Sequence, residues 1–202
     1  MNKNIAVLVL AAGAATRMGS IKQLLPWKGS TLLENALQTA VNSSARYVTL
    51  ITGANAEAII NEIKIPKAVA VVFNNQWTLG LSSSINCGLH HILEGDLECD
   101  AVLMLMADQP LIDTEYLNNL ISEYHKGAFG IVATSYESGP GVPVIFDRKY
   151  FEELRTLAQD KGAKSLIKAN MADTFVIDPL GKERDIDTPA DYSSLSREAG
   201  KR

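Results

Sequence analysis

Short apolar runs alternate with amphipathic segments along the whole chain, and this alternation limits the possible folds more than any other feature of the sequence. Ile5–Leu10 and Cys99–Ala107 are almost entirely apolar, which is typical of strands buried on both faces of a parallel sheet. Further strands are predicted over Tyr47–Thr52, Val69–Phe73, Phe129–Thr134, Val142–Phe146 and Thr174–Ile177. The pattern predicts an α/β protein with a doubly wound, mostly parallel sheet.

Amphipathic segments between these runs predict the helices. Thr31 and Glu34 form a capping-box pattern. The apolar residues after it recur at helical spacing and would form one face: Leu32, Leu33, Ala36, Leu37, Ala40 and Val41. Other helices are predicted over Ala56–Ile63, Ser82–Leu93, Glu115–His125, Tyr150–Ala158, Ala163–Asn170 and a short stretch after Thr188. Neither a repeat nor a linker interrupts the pattern, so we expect one domain over residues 1–196 and a frayed tail over residues 197–202.

The charge balance restricts the partners. The chain of 202 residues has 19 Lys and Arg against 23 Asp and Glu, a formal net charge of −4. Such a surface as a whole does not attract nucleic acid or acidic membrane, so we expect neither as a partner, and anion binding has to be local. Cys87 and Cys99 show neither metal-ligand spacing nor a disulfide framework, which predicts a buried, reduced pair. The sequence contains no segment that looks transmembrane, so we expect a cytoplasmic protein.

A segment rich in small residues follows the first predicted strand: LAAGAATRMGSIKQLLP, from Leu10 to Pro26. It matches neither the Walker P-loop nor the GxGxxG pattern. Small residues nevertheless allow backbone N–H groups to approach a ligand, while Arg17 and Lys22 supply a planar fork and a point charge for phosphate oxygens. A surface turn with two solvated cations is the alternative. The position at the carboxyl end of a strand favours phosphate binding.

Carboxylates follow two other extended segments. Asp108 comes directly after the central apolar run, where it can hold a divalent cation over the first loop. In RDIDTPADY, Thr188 and Asp191 are explained as a helix start, whereas Asp185 and Asp187 are not. We expect the latter two to point to opposite sides of an extended backbone, so that at most one, Asp187, faces the site.

The stretch from Gly80 to Ser84 precedes a predicted helix, and its serines either cap that helix or offer hydroxyl and N–H groups to a nucleotide. His90 and His91 lie in mid-helix without a partner pattern. Because no Ser/His/Asp or Cys/His arrangement is present, the chemistry is expected to need no general base.

Five segments occur in an order that resembles the MobA-like nucleotidyltransferases, and among these the molybdenum cofactor cytidylyltransferases most: LAAGAATRMGSIKQLLPWKGSTLLE, ADQP, GVPVIF, DKGAKSLI and DIDTPADY. The resemblance covers almost the whole chain. It implies a Rossmann-like, glycosyltransferase-A-type fold. It also implies transfer of a nucleotide from a nucleoside triphosphate to the phosphate of molybdopterin, with Mg²⁺ and release of pyrophosphate.

Carried over to this sequence, the resemblance implies that Arg17 and Lys22 hold the triphosphate and that Asp108 holds the metal. These three are the expected catalytic residues. Asp187 is expected to provide a second metal position or to lie on the acceptor side. The residues expected to bind the nucleotide are Ala11, Ala12, Gly13, Arg17, Lys22, Gly80, Ser82 and Ser83.

The second substrate is less closely defined, because two positions differ from the family pattern. Val142 stands where many cytidylyltransferases have histidine, and Lys164 where they have arginine. The expected partners are CTP, or GTP, and a molybdopterin-type acceptor, with a molybdoenzyme or its chaperone as a candidate recipient of the product. Ala12, where related guanylyltransferases have glycine, leaves less room for a base and favours CTP over GTP.

Three other functions stay open at this point. A sugar-phosphate nucleotidyltransferase (pyrophosphorylase) carries a related Gly, Arg and Lys signature after its first strand, although such chains are usually longer. A guanylyltransferase would use GTP instead of CTP. A non-catalytic nucleotide-binding module of the same fold is disfavoured because both Lys22 and Asp108 are present.

Overall fold

The computed structural model describes residues 3–14, 18–95, 97–157 and 162–200. Its strands, in chain order, are β1 (Ile5–Leu10), β2 (Pro26–Trp27), β3 (Ser30–Thr31), β4 (Tyr47–Thr52), β5 (Val69–Phe73), β6 (Ala101–Met106), β7 (Ile131–Thr134), β8 (Gly141–Asp147) and β9 (Thr174–Ile177). Its α-helices are α1 (Leu32–Val41), α2 (Ala56–Glu62), α3 (Leu81–Glu94), α4 (Thr114–His125), α5 (Phe151–Arg155), α6 (Gly162–Ala169) and α7 (Pro189–Ala199).

Seven of the strands form one sheet in the order β5-β4-β1-β6-β8-β7-β9, and β2 and β3 form a separate small hairpin. The pairs of β1 with β4 and β6, of β4 with β5 and of β7 with β9 are parallel. Within the described part of this seven-stranded sheet, only the pairs that β8 makes with β6 and β7 are antiparallel, and the separate β2–β3 hairpin is antiparallel too. The predicted doubly wound, mostly parallel α/β sheet is therefore confirmed.

The predicted elements differ from the observed ones mainly at their ends. The central strand β6 is shorter than the predicted 99–107. The helix predicted over 150–158 is the short α5, preceded by a 3₁₀ turn at Arg148–Tyr150. Helix α7 continues through Ala199, beyond the predicted boundary at residue 196, and that boundary stays a prediction. Both cysteines are free thiols, but only Cys99 is fully buried, so the prediction of a buried pair is correct for one of them.

Alternate residues of β1 belong to two separate apolar cores, as expected for a strand covered on both faces. Ile5, Val7 and Val9 pack with α1, α2 and α4 on one face. Ala6 and Leu8 pack with α3, α5 and α6 on the other. A third, smaller cluster consists of Met18, Trp27, Leu32, Ile186 and Leu195. This third cluster joins the β2–β3 hairpin and α7 to the main body, and it brings the segment before α7 over the carboxyl end of β1.

Gly53, directly after β4, permits a close approach that shapes the same end of the sheet. A Cβ at this position would lie 2.6 Å from Cβ of Trp77 and 2.8 Å from Cβ of Ala12. The Ala54 N–H also donates a 3.0 Å hydrogen bond to the Ala12 carbonyl. The loop after β1 is thus packed directly against the end of β4.

Candidate active site

A cavity of about 430 Å³ opens at the carboxyl ends of β1 and β6. Its walls come from six parts of the chain: the end of β1 with the loop after it, the start of α3, the end of β6 with the loop after it, the β7–β8 region, α6 and the segment before α7. They contribute Leu10, Ala11, Gly13, Met18, Lys22, Gln23, Leu81, Met106, Ala107, Asp108, Gln109, Tyr136, Val142, Lys164, Asp185 and Asp187. Ligands of open α/β sheets bind at this edge, so the position agrees with the rule that predicted it.

Lys22 lines the cavity from a 3₁₀ turn over Lys22–Leu24. Its Nζ donates a 2.8 Å hydrogen bond to Asp108 and a 3.1 Å hydrogen bond to Asp187. Burial lowers the pKa of Lys22, but attraction to Asp108 and the hydrogen bonds to both carboxylates outweigh burial, and the net shift is upward. The ammonium group is therefore charged at neutral pH, and only 13% of the side chain is exposed.

Asp108 and Asp187 are far apart in the sequence and meet because the segment before α7 is anchored on β6. Ile186 is fully buried in the third apolar cluster, and its N–H donates a 2.9 Å hydrogen bond to the Asp108 carbonyl. The expectation that Asp185 and Asp187 point to opposite sides is wrong, since both line the cavity. Side chains two residues apart on an extended backbone share a side, and it is the intervening Ile186 that points into the core.

Asp185 lines the cavity next to Gln109 and Tyr136, two side chains that the sequence analysis did not single out. Gln109 Nε2 donates to Asp185 Oδ1 at 2.9 Å and to the Tyr136 hydroxyl at 2.5 Å. The Tyr136 hydroxyl in turn donates a short hydrogen bond to the Val142 carbonyl. Burial, followed by the charge of Asp108, raises the pKa of Asp185 to about 6. The position of Gln109 next to Asp108 is the one sequence signal that could have identified this group.

Gln23 is a third residue that the sequence analysis did not single out, and it binds the backbone of the loop after β1. Its Nε2 donates to the carbonyls of Ala11 at 2.9 Å and Gly13 at 3.1 Å, and its side chain is almost fully buried. These two hydrogen bonds fix the backbone of residues 11–13 at the cavity wall. The adjacency of Gln23 to Lys22 was the available signal.

The remaining predicted residues fall into different positions. Ala11 and Gly13 line the cavity, whereas Ala12 is buried against Gly53. Arg17 lies outside the described residues. Val142 and Lys164 both line the cavity, and the Lys164 ammonium lies 5.6 Å from the centre of the Tyr136 ring.

The loop after β5 borders a second cavity and not the main one. Ser83 lines that second cavity, where its hydroxyl donates to the Gly80 carbonyl at 2.7 Å and accepts from Asn74 at 2.9 Å. Ser82 is buried. Of this stretch, Leu81 is the residue that reaches the main cavity, and nucleotide binding by Gly80, Ser82 and Ser83 stays a prediction.

The cavity combines the largely buried Lys22 ammonium with the carboxylate oxygens of Asp108 and Asp187. Such oxygens are the ligands that hard divalent cations prefer. Within the described ranges, His, Cys, Asp and Glu side chains do not form a group of three or more that could hold a metal ion by themselves. Two carboxylates suffice for Mg²⁺ when substrate phosphates and water complete its coordination. Among the helices in these ranges, none is long and apolar enough to span a bilayer.

Comparison with protein-family models matches residues 7–174 to the MobA-like NTP transferase domain. The chain belongs to this family.

Three curated relatives are similar over most of their length. The chain is 27% identical to the purine catabolism protein PucB of Bacillus subtilis, covering 93% of this chain and 94% of PucB. It is 28% identical to the nicotine blue oxidoreductase of Paenarthrobacter nicotinovorans, with 80% of each covered. It is 22% identical to the molybdenum cofactor cytidylyltransferase of Escherichia coli, with 92% of each covered.

Among solved structures, Rv0371c of Mycobacterium tuberculosis superposes with a TM-score of 0.83 at 27% identity, covering 98% of this chain and all of that one. A further structure of Rv0371c is a complex with manganese, and it matches with a TM-score of 0.75 at 28% identity, covering 96% of this chain and 98% of that one. These similarities place the chain among the MobA-like nucleotidyltransferases, with a single domain of their common fold.

Proposed function

We propose that this MobA-like protein transfers CMP from CTP to the phosphate of a molybdopterin-type cofactor and releases pyrophosphate. The observation that carries the proposal is the Lys22 ammonium held between Asp108 and Asp187 in the cavity beyond β1 and β6. Similarity to the cytidylyltransferase of Escherichia coli supports the choice of substrates. The reaction would take place in the cytoplasm, and a molybdoenzyme or its chaperone would receive the product.

Lys22 and Arg17 would bind the phosphates of CTP. In the structure the Lys22 ammonium is hydrogen-bonded to both Asp108 and Asp187, and its single charge offsets one of their two negative charges. Because all three groups share one pocket, an incoming triphosphate can take the ammonium as its own partner. Arg17 would add a planar fork from the same loop.

Asp108 and Asp187 would hold Mg²⁺, for which their hard oxygen ligands are suited. When bound, the ion neutralises the charge of the triphosphate and of its leaving group. The carboxylates become available to it once Lys22 pairs with phosphate. The acceptor would bind on the side of the cavity lined by Gln109, Tyr136 and Asp185. The 2.9 Å hydrogen bond between Gln109 and Asp185 would fix the side chains there.

The acceptor phosphate needs no general base. Its second pKa is about 6, so it is mostly a dianion at neutral pH. One of its oxygens attacks the α-phosphorus of CTP, and the bond from that phosphorus to the oxygen bridging the α- and β-phosphates breaks. Pyrophosphate leaves with the electron pair. The main barrier is the approach of two polyanions, so catalysis consists of positioning and charge neutralisation.

The decisive experiment follows labelled CTP with and without the molybdopterin acceptor, with GTP and a sugar 1-phosphate as competing substrates. We expect acceptor-dependent release of pyrophosphate with CTP. Asp108→Asn should lower turnover on the order of 100- to 1,000-fold. Asp100→Asn is the matched control, because Asp100 lies at the opposite end of β6 and accepts a hydrogen bond from the Asn4 N–H. Normal turnover by Asp108→Asn at saturating Mg²⁺ would refute its assignment.

The base preference is tested separately. Ala12 is packed against Gly53, and its Cβ restricts the backbone where the chain leaves β1 towards the nucleotide. We predict that the wild type has a higher kcat/KM for CTP than for GTP and that Ala12→Gly reduces this ratio. Because the shape of a pocket alone discriminates between ligands by about 1–3 kcal/mol, the preference for CTP should not exceed that range. Equal use of both nucleotides by the wild type would contradict the cytidylyl assignment and leave the nucleotidyltransferase class intact.

A further inference from the structure

The edge of the sheet formed by β5 exposes apolar side chains. Val71 is 41% exposed and Phe73 is 57% exposed, although both belong to a regular strand. Val69, two residues before Val71, packs into the first apolar core with Ile59 and Ile63. Since alternate residues share a face, Val71 and Phe73 continue this apolar face outward to the edge of the sheet.

The backbone of this edge is partly available: the Val69 N–H already donates to the Pro66 carbonyl at 2.9 Å, and the Cys87 thiol donates weakly to the Phe73 carbonyl at 3.9 Å. In the part of the chain that the structure describes, β5 pairs with β4 on one side and has no strand on the other. Natural edge strands are usually protected by charged residues, proline or a bulge. Val69–Phe73 has none of these: its sequence is VAVVF, and its register with β4 is continuous.

The opposite edge of the sheet, β9, shows the contrast. Phe175 and Val176 are exposed there too, but they are neighbours in the strand and point to opposite faces. Phe175 is in contact with Phe129, with ring centres 5.5 Å apart. Asp173 and Asp178 flank the strand, so antiparallel pairing of two β9 strands would place like charges opposite each other.

We propose that two copies of this chain associate through β5, antiparallel about a two-fold axis at Val71, to form one continuous sheet. In this register Val71 faces the partner's Val71, and Val69 faces the partner's Phe73. Just beyond the strand, Lys67 faces the partner's Asn75, so no like charges meet. The exposed apolar side chains of both copies lie on the same face and cover one another. The backbone groups of Val71 pair across the axis, while the Val69 N–H and the Phe73 carbonyl keep the partners they have within the chain.

The proposed interface lies away from the candidate active site. The cavity is formed at β1 and β6, and β4 separates β1 from β5. Dimerisation through β5 would therefore leave the cavity open in both copies. This proposal is independent of the nucleotide and acceptor assigned above.

The first test is the mass of the full-length chain in solution, measured by sedimentation equilibrium across a concentration series. The wild type should reach twice the monomer mass at micromolar concentration. Val71→Lys should be monomeric, with at least a 100-fold weaker association and an unchanged circular dichroism spectrum. Val176→Lys is the matched control, since it places the same charge at an equally exposed valine of β9 (37%), and it should dimerise normally. A monomeric wild type, or a dimer that Val71→Lys leaves intact, would overturn the proposal.

The second test reads the register directly and stays informative if Val71→Lys folds poorly. Two residues opposite each other in an antiparallel pair have Cα atoms about 4.5–5.5 Å apart, within the range of a disulfide. Val71→Cys should therefore form a covalent dimer under mild oxidation, whereas Val176→Cys and the wild type, with its own Cys87 and Cys99, should not. Absence of crosslinking at residue 71 would contradict the proposed register. So would binding of a different protein to β5 while the chain itself stays monomeric.

Discussion

At the scale of single residues, the shape of the cavity depends on Gln23 as much as on the charged groups. Its side-chain amide donates two hydrogen bonds to the carbonyls of Ala11 and Gly13. Gln23→Leu removes both while keeping the buried volume similar. We expect the KM for CTP to rise on the order of tenfold through misplacement of the loop, and stability to fall by about 1–3 kcal/mol. Steady-state kinetics and urea unfolding measure the two effects.

Gln38→Leu is the control for this prediction, because Gln38 is exposed on α1 and bonds to the nearby Asn42. It should leave both KM and stability nearly unchanged. An unaltered KM in Gln23→Leu would mean that the loop keeps its conformation without this side chain.

At the scale of elements, two helices begin with complete capping boxes that serve different purposes. The box of α1 consists of Thr31 and Glu34, and the box of α7 consists of Thr188 and Asp191. Asp191 Oδ2 also accepts from the Asp187 N–H at 3.3 Å, so the cap of α7 positions a residue of the cavity.

We therefore predict that Thr31→Ala and Thr188→Ala each lower the free energy of unfolding by about 1 kcal/mol. Turnover should fall only in Thr188→Ala. It is to be measured on folded protein, at a temperature well below the midpoint of thermal unfolding. If both variants kept full turnover, the α7 cap would be a stabilising feature with no influence on Asp187.

At the scale of the whole molecule, the ionised carboxylate of Asp147 links several elements at the end of the sheet opposite the cavity. Asp147 accepts from Lys3 at 2.8 Å and from the Tyr124 hydroxyl at 2.7 Å, which joins the start of the chain to α4 and β8. Burial raises the pKa of Asp147, but the hydrogen bonds from Lys3, the Lys149 N–H and Tyr124 outweigh it, and the net shift is downward.

A carboxyl whose pKa is lower in the folded state stabilises the protein above its unfolded pKa of about 3.9, and this stabilisation is lost as the pH falls through the folded value. We predict that Asp147→Asn lowers the free energy of unfolding by about 2 kcal/mol at pH 7 and by much less near pH 2. Urea unfolding at the two pH values measures the difference. Equal losses at both would show that packing, and not charge, accounts for the effect.

The sequence by itself determined the sheet, the covering helices and the edge where the cavity opens. These follow from local patterns: apolar runs in β1 and β6, helical spacing after Thr31, and the rule that ligands bind beyond the carboxyl ends of strands. Lys22, Asp108 and Asp187 could be selected in this way because each follows or precedes a recognisable element. That the side chains of Asp185 and Asp187 lie on the same side of the backbone could also have been predicted from the two-residue period of an extended chain.

Only the tertiary structure decided which of these groups meet. Lys22 and Asp187 are 165 positions apart, and Gln109 and Asp185 are 76 apart. They come together because Ile186 is buried with Met18, Trp27, Leu32 and Leu195, which brings the segment before α7 over the carboxyl end of β6. Local periodicity contains no information about such pairings, since they result from the burial of apolar side chains that are distant along the chain.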